Sequence, residues 1–260
     1  MSNGRWNREQ LKLAFHLYCQ LPFGKMHQRN AEIIELAKLL GRTPSAVAMK
    51  LVNFASLDPA IRESGRVGLG NASLLDKEVW DEFNSDWERL AVECVQLKQT
   101  LVGVLTVESI ADKTSMLDED YSASDKEVRT LQRVTQSFFR RAVLSSYRGR
   151  CCISGLTDAR LLVASHIVPW RGDVKNRLNP SNGLCLSAIH DKAFDRGVVS
   201  LADDLTVILC DEYLQSKDAF IKQVFAPIHG KQILLPDRFA PKKEFLEHHR
   251  NHIFLDAQPT

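Results

Sequence analysis

Apolar positions recur at helical spacing along the N-terminal part of the chain and give way to short strand-like runs further on. From Arg8 to Gln20, Leu11, Phe15 and Tyr18 fall on one helical face. Ala31 to Leu40 sets Ile33, Leu36, Ala37 and Leu40 at i, i+3, i+4 and i+7, and Gly41 closes the run. Thr43-Pro44 then reads as the N-cap and first residue of a helix that continues through Phe54. Two helices joined by so short a turn suggest a helix-turn-helix. In the second, Val47, Leu51 and Phe54 face a core, while Ala46, Met49, Lys50 and Asn53 share the opposite face. A small residue, a cation and an amide there suit a helix lying in a DNA major groove, with Lys50 and Asn53 as contacts; plain scaffolding is the alternative.

The glycine-rich stretch Gly65 to Asn71 reads as a wing, a substrate-touching loop or a flexible connector. Leu74 to Leu97 carries Trp80, Phe83, Trp87 and Leu90 at helical intervals, the mark of a core or of a dimer contact. Glu108 to Asp125 is acidic and serine-rich, as a linker would be. The pattern therefore divides the chain into a helical region at 1–105, an acidic linker at 106–125 and a third region at 126–260.

That third region opens with a basic helix from Lys126 to Tyr147. The apolar run Leu161 to Ala164 then delivers Ser165-His166 and stops at Pro169. A polar loop follows from Arg171 to Ser181, then Asn182-Gly183, a short apolar run Leu184 to Leu186, and a helix-like stretch His190 to Arg196 ended by Gly197. The order is strand, loop, strand, helix. Val198 to Leu201 and Thr206 to Cys210 read as a hairpin, and Pro241 to Phe254 as a last helix packing over this unit. Its histidines, His248, His249 and His252, read as a solvated helix face.

Composition narrows the setting. No run approaches the roughly 20 apolar residues that span a bilayer, and the first residues lack a signal-peptide pattern, so a cytoplasmic protein away from membranes is expected. Six scattered cysteines do not make a disulfide framework, and none stands in a C-x-x-C pair. Net charge is only +2, yet Lys126 to Pro180 holds eleven Lys or Arg against three acids, a local excess of +8 where phosphates would bind.

The third region also holds the candidate chemistry. Hydrolysing a phosphodiester needs a deprotonated water, neutralisation of the charge that develops on phosphorus, and stabilisation of the leaving oxygen. A histidine suits the first task and a divalent cation the other two. His166 is the candidate base at a strand end; Asp191 and Asp195, at i and i+4, project from one helix face about 6 Å apart at Cβ. Hard carboxylate donors favour Mg²⁺ or Mn²⁺ over zinc.

Three segments, Ala-Ser-His-Ile-Val-Pro-Trp (164–170), Asn-Pro-Ser-Asn-Gly-Leu-Cys-Leu (179–186) and His-Asp-Lys-Ala-Phe-Asp-Arg-Gly (190–197), resemble the HNH endonuclease family, in its restriction-type and phage-defence subset. The resemblance covers about Cys151 to Cys210. It implies an α+β chain in which the helical, helix-turn-helix-like region precedes a ββα-metal nuclease domain with a C-terminal extension. It implies His166 as general base, Asn182 as a brace of the loop or a metal ligand, and Asp195 as a ligand together with Asp191 or His190. Helix geometry favours Asp191 as the partner of Asp195, and imidazole chemistry favours His190. Arg171, Lys175 and Arg177 are expected to hold phosphate.

Two departures from the family pattern stand out. Ser165 occupies the place before the base where many members carry an acidic or histidine ligand, and the cysteines lack the paired motifs of zinc knuckles, so no structural zinc is expected. Cys152 with Gly155 is expected to shape a turn before the first strand. The family implies a Mg²⁺- or Mn²⁺-dependent endonuclease acting on double-stranded DNA, as a homodimer where both strands are cut, in restriction of foreign DNA. The alternatives are a DNA-binding transcriptional regulator with a degenerate nuclease fold and an RNA-directed or toxin-like nuclease.

Overall fold

The structure, a computed structural model, describes residues 4–63, 70–103 and 123–256. Most of the glycine-rich stretch and nearly all of the expected linker lie outside the described residues. The chain is α+β and divides into two compact units, Met1–Arg141 and Ala142–Thr260. No helix among the described residues is long and apolar enough to cross a membrane.

The first unit is helical: α1 (Arg8–Gln20), α2 (Ala31–Leu39), α3 (Pro44–Ala55), α4 (Pro59–Glu63), α5 (Leu74–Ser85), α6 (Trp87–Val102) and most of α7 (Ala123–Ser146). Local chemistry sets the ends. Asn7 and Gln10 form a reciprocal capping box at α1. Asn30 accepts from the Glu32 and Ile33 amides to start α2, and Gly41 leaves it at φ +64°, where glycine is unstrained. Thr43 Oγ1 accepts from the Ala46 amide and Pro44 takes the first position of α3, as the sequence implies.

Phe15 is the centre of the core. Its ring meets Phe83 at 4.5 Å, Phe54 at 4.9 Å and Trp80 at 5.2 Å. Phe83, Trp87 and Leu90 are fully buried in this cluster, so the aromatic face of Leu74 to Leu97 is core and not a dimer surface. The helical spacing there belongs to two helices, which part at Asp86, whose side chain caps α6 through the Arg89 amide.

The expected groove-facing pair on α3 is corrected. Lys50 and Asn53 are buried, and Lys50 Nζ sits 3.0 and 2.9 Å from the two carboxylate oxygens of Asp76, itself wholly buried. An ammonium committed to an inside carboxylate is not presented to DNA. Among the four residues of that expected face, Met49 is the exposed one.

The second unit holds two small antiparallel sheets. β1 (Leu162–His166) pairs with β2 (Gly183–Ser187) in a register that sets His166 opposite Gly183 and Leu162 opposite Ser187. β2 runs directly into α8 (Ala188–Asp195), capped by Ser187 Oγ. β3 (Val199–Leu201) and β4 (Val207–Leu209) form the expected hairpin. Two short helices, α9 (Asp211–Leu214) and α10 (Ala219–Val224), precede α11 (Lys243–His252). A tight turn over Cys151 to Leu156 leads toward β1, with Gly155 at φ +75° and the Cys152 amide donating to the Cys185 carbonyl at 2.7 Å. Gly197 ends α8 at φ +70°, and a Cβ there would lie 1.9 Å from the Ile253 carbonyl oxygen.

α11 corrects the reading of its histidines. His249 is buried, its ring stacked 3.7 Å from Phe194. Its Nε2–H donates to the Phe194 carbonyl at 3.1 Å, and the Ser200 hydroxyl meets Nδ1 at 2.8 Å. The amphipathic phase of the helix turns position 249 inward and leaves His252 exposed.

Two expectations follow from these buried groups. Lys50→Ala leaves the Asp76 carboxylate uncompensated and is expected to destabilise the helical unit by about 3–5 kcal/mol, read from urea unfolding. Burial lowers the His249 pKa from 6.5 to about 4. The unfolded chain therefore binds the extra proton first, so this contribution to stability is complete above pH 6.5 and is lost as pH falls toward 4. The thermal midpoint should drop across that window, and less so in His249→Gln.

Candidate active site

The strand–loop–strand–helix unit converges on the end of β1. His166 is half-buried there, and its Nε2 lies 2.8 Å from the Arg177 carbonyl oxygen. A carbonyl only accepts, so Nε2 carries the hydrogen and Nδ1 is the basic nitrogen. Burial lowers the His166 pKa, while the Arg177 hydrogen bond and the charge of Asp191 act the other way; the net direction is down, toward a neutral ring.

Asn182 lies between the loop and β2 with no solvent exposure. Its Oδ1 accepts from the Val168 amide at 2.8 Å, and its Nδ2 donates to the carbonyls of Val168 at 3.1 Å and Asn176 at 3.3 Å. Both ends of the amide are thus spent on backbone. These contacts suit the brace expected for Asn182, one of its two expected roles.

α8 separates the two remaining candidates by helix phase. His190 points inward: it is buried, its Nδ1 lies 2.8 Å from Ser187 Oγ and 3.6 Å from Cys151 Sγ, and its ring edge faces Phe225. Its Nε2 is buried with no hydrogen-bond partner. One position on, Asp191 is half-buried, and its charge acts to raise the His166 pKa against the effect of burial. Asp195 follows on the exposed side, its pKa raised first by desolvation and then by the neighbouring Asp191 carboxylate. His190 is thus turned into the fold, while Asp191 and Asp195 lie on the outer side of α8.

Among the described residues no set of three or more His, Cys, Asp or Glu gathers as a ready metal cage. Two neighbouring carboxylates on one helix face are nevertheless hard oxygen donors, whose mutual repulsion a divalent cation relieves. The donor set fits Mg²⁺ or Mn²⁺, with water and substrate oxygens completing the shell. Ser165, before the base, is buried with its hydroxyl unpaired, and so adds no ligand.

The basic loop residues differ. Arg171 and Lys175 are exposed, whereas Arg177 is half-buried with its guanidinium over the Trp170 ring. Trp170 was not singled out from the sequence; the signal was available in a lone aromatic side chain within an otherwise polar loop.

Residues 151–202 match the family model described as HNH endonuclease. Among solved structures, the chain is similar to one described as a modification dependent TagI restriction endonuclease, at 16% identity and a TM-score of 0.29. That likeness covers 58% of this chain and 44% of the other, so it spans less than half of that protein. No curated protein matches the chain.

If Asn182 is the brace, its removal should loosen the loop before it affects anything else. Asn182→Ala leaves the Val168 amide and carbonyl without this partner, and is expected to cost about 2–5 kcal/mol. Limited trypsin digestion should then cut at Arg171 and Lys175 faster than in the parent protein.

Proposed function

We propose, from the match of residues 151–202 to the HNH endonuclease model, that the protein hydrolyses DNA phosphodiester bonds, with His166 as general base and a divalent cation held by Asp191 and Asp195. The observation that carries this reading is the His166 tautomer. The Arg177 carbonyl holds the hydrogen on Nε2, which makes Nδ1 the nitrogen that takes a proton from the attacking water. Burial keeps the ring neutral and able to accept. As the proton arrives, the nearby Asp191 charge stabilises the imidazolium.

Asp191 and Asp195 would hold the cation from one face of α8, and Mg²⁺ or Mn²⁺ supplies neutralisation of the phosphoryl and leaving-oxygen charge when bound. Asn182 keeps the loop in register, so that the acceptor for His166 stays in place. Arg171 and Lys175 reach solvent from the same loop and are proposed to bind backbone phosphates of double-stranded DNA. One such domain cuts one strand, so double-strand cleavage calls for a homodimer. Restriction of foreign DNA in the cytoplasm is the role proposed, by analogy with the family's restriction-type members.

One observation favours the competing reading, a DNA-binding regulator on a degenerate nuclease fold: the buried, unpaired Ser165 hydroxyl where a ligand would stand. Plasmid nicking separates the two. Cleavage is expected with Mg²⁺ or Mn²⁺ and none in EDTA. His166→Ala and Asp191→Asn should each lower the rate by about 10²–10⁴-fold while the fold persists. The acid limb of the rate profile should fall below pH 6.5, following the direction of the His166 shift. A parent protein inert in every metal leaves the regulator standing.

A further inference from the structure

Trp170 has no part in that scheme, yet it touches two groups on which the base depends. Its ring meets the His166 ring edge-on, with centroids 5.5 Å apart and planes at 89°. The Arg177 guanidinium lies 5.1 Å from the same ring's centroid, within cation–π range. The backbone carbonyl of Arg177 is in turn the acceptor for His166 Nε2–H at 2.8 Å. The three contacts close on themselves: His166 to Arg177 through the main chain, Arg177 to Trp170 through its side chain, Trp170 back to His166.

The closure matters because the acceptor comes from far along the loop. Eleven positions separate His166 from Arg177. Asn182 fixes the loop at Val168 and Asn176, but the Arg177 peptide lies beyond the second of these ties. A small rotation there would turn its carbonyl away from the imidazole. Stacking of the Arg177 side chain on Trp170 opposes that rotation.

We propose that Trp170 is a positioning residue for the general base: it clasps Arg177, so that the Arg177 carbonyl holds His166 in the Nε2–H tautomer. The proposal rests on the reading of His166 as the base. Loss of an outer partner that fixes a histidine's orientation costs roughly 10–100-fold at metal sites, and the same scale is expected here.

The test uses the full-length protein with Trp170→Leu, Trp170→Phe, Arg177→Lys and the Trp170→Leu/Arg177→Lys pair. In plasmid nicking with Mg²⁺, Trp170→Leu and Arg177→Lys should each lower kcat about tenfold or more, with KM for DNA within about twofold. The double variant should be no slower than the worse single one, and Trp170→Phe should recover most of the rate. Long-range ¹H–¹⁵N correlation spectra of the metal-free protein should show His166 as the Nε2–H tautomer in the parent and a tautomer mixture in Trp170→Leu. A raised KM with kcat intact would make Trp170 a DNA contact and overturn the proposal. So would additive losses, or an unchanged tautomer. Should Trp170→Leu fail to fold, Trp170→Phe and Arg177→Lys carry the same comparison. If His166→Ala nicks DNA at the parent rate, the base assignment has failed; the spectra then still decide whether the clasp orients the ring.

Discussion

One buried carboxamide holds the loop between β1 and β2 in shape. The Asn182 side chain meets three backbone groups of the 167–182 segment, the Val168 amide and the carbonyls of Val168 and Asn176. Without it the buried Val168 amide and carbonyl would each lose a hydrogen bond, at a cost of about 1–3 kcal/mol each. A loop this polar could not remain against the sheet on apolar contact alone. The amide converts a segment of loop into a fixed arm, and only a fixed arm can supply His166 with a carbonyl at a constant distance.

The second constraint is the phase of α8. Consecutive helix residues differ by about 100° in direction, so His190 and Asp191 cannot serve the same face. In the packing of the helix on β1 and β2 the imidazole goes inside with Ser187 and Cys151, and the carboxylate stays on the outer side. Two carboxylates then share a face with few other demands on it. A site made in this way has oxygen donors and no soft ligand, which sets the kind of cation that belongs there.

What the sequence made legible was local. The Thr43-Pro44 cap, the Gly41 and Gly197 exits, the strand–loop–strand–helix order and the β3–β4 hairpin each depend on residues close in the chain. The errors were all matters of distant partners. Lys50 lies on a face that alone reads as exposed, but Asp76 arrives 26 residues later and takes its charge inside. His249 sits in a run of imidazoles that reads as solvated, until Phe194 and Ser200 come up against it from elsewhere in the fold. The Trp170 contacts needed a loop conformation that no periodicity encodes. The choice between His190 and Asp191 needed the rotation of one helix against two strands.

Gly197 joins the site to the far end of the chain. It ends the helix that carries both carboxylates, and the Ile253 carbonyl presses so close that no side chain fits between them. The Leu255 amide then donates to the Gly197 carbonyl at 3.0 Å. The C-terminal stretch thus serves as a backstop for the acidic helix, and fusions or truncations made at that end reach the helix of Asp191 and Asp195 directly. A purification tag is better placed at the opposite terminus.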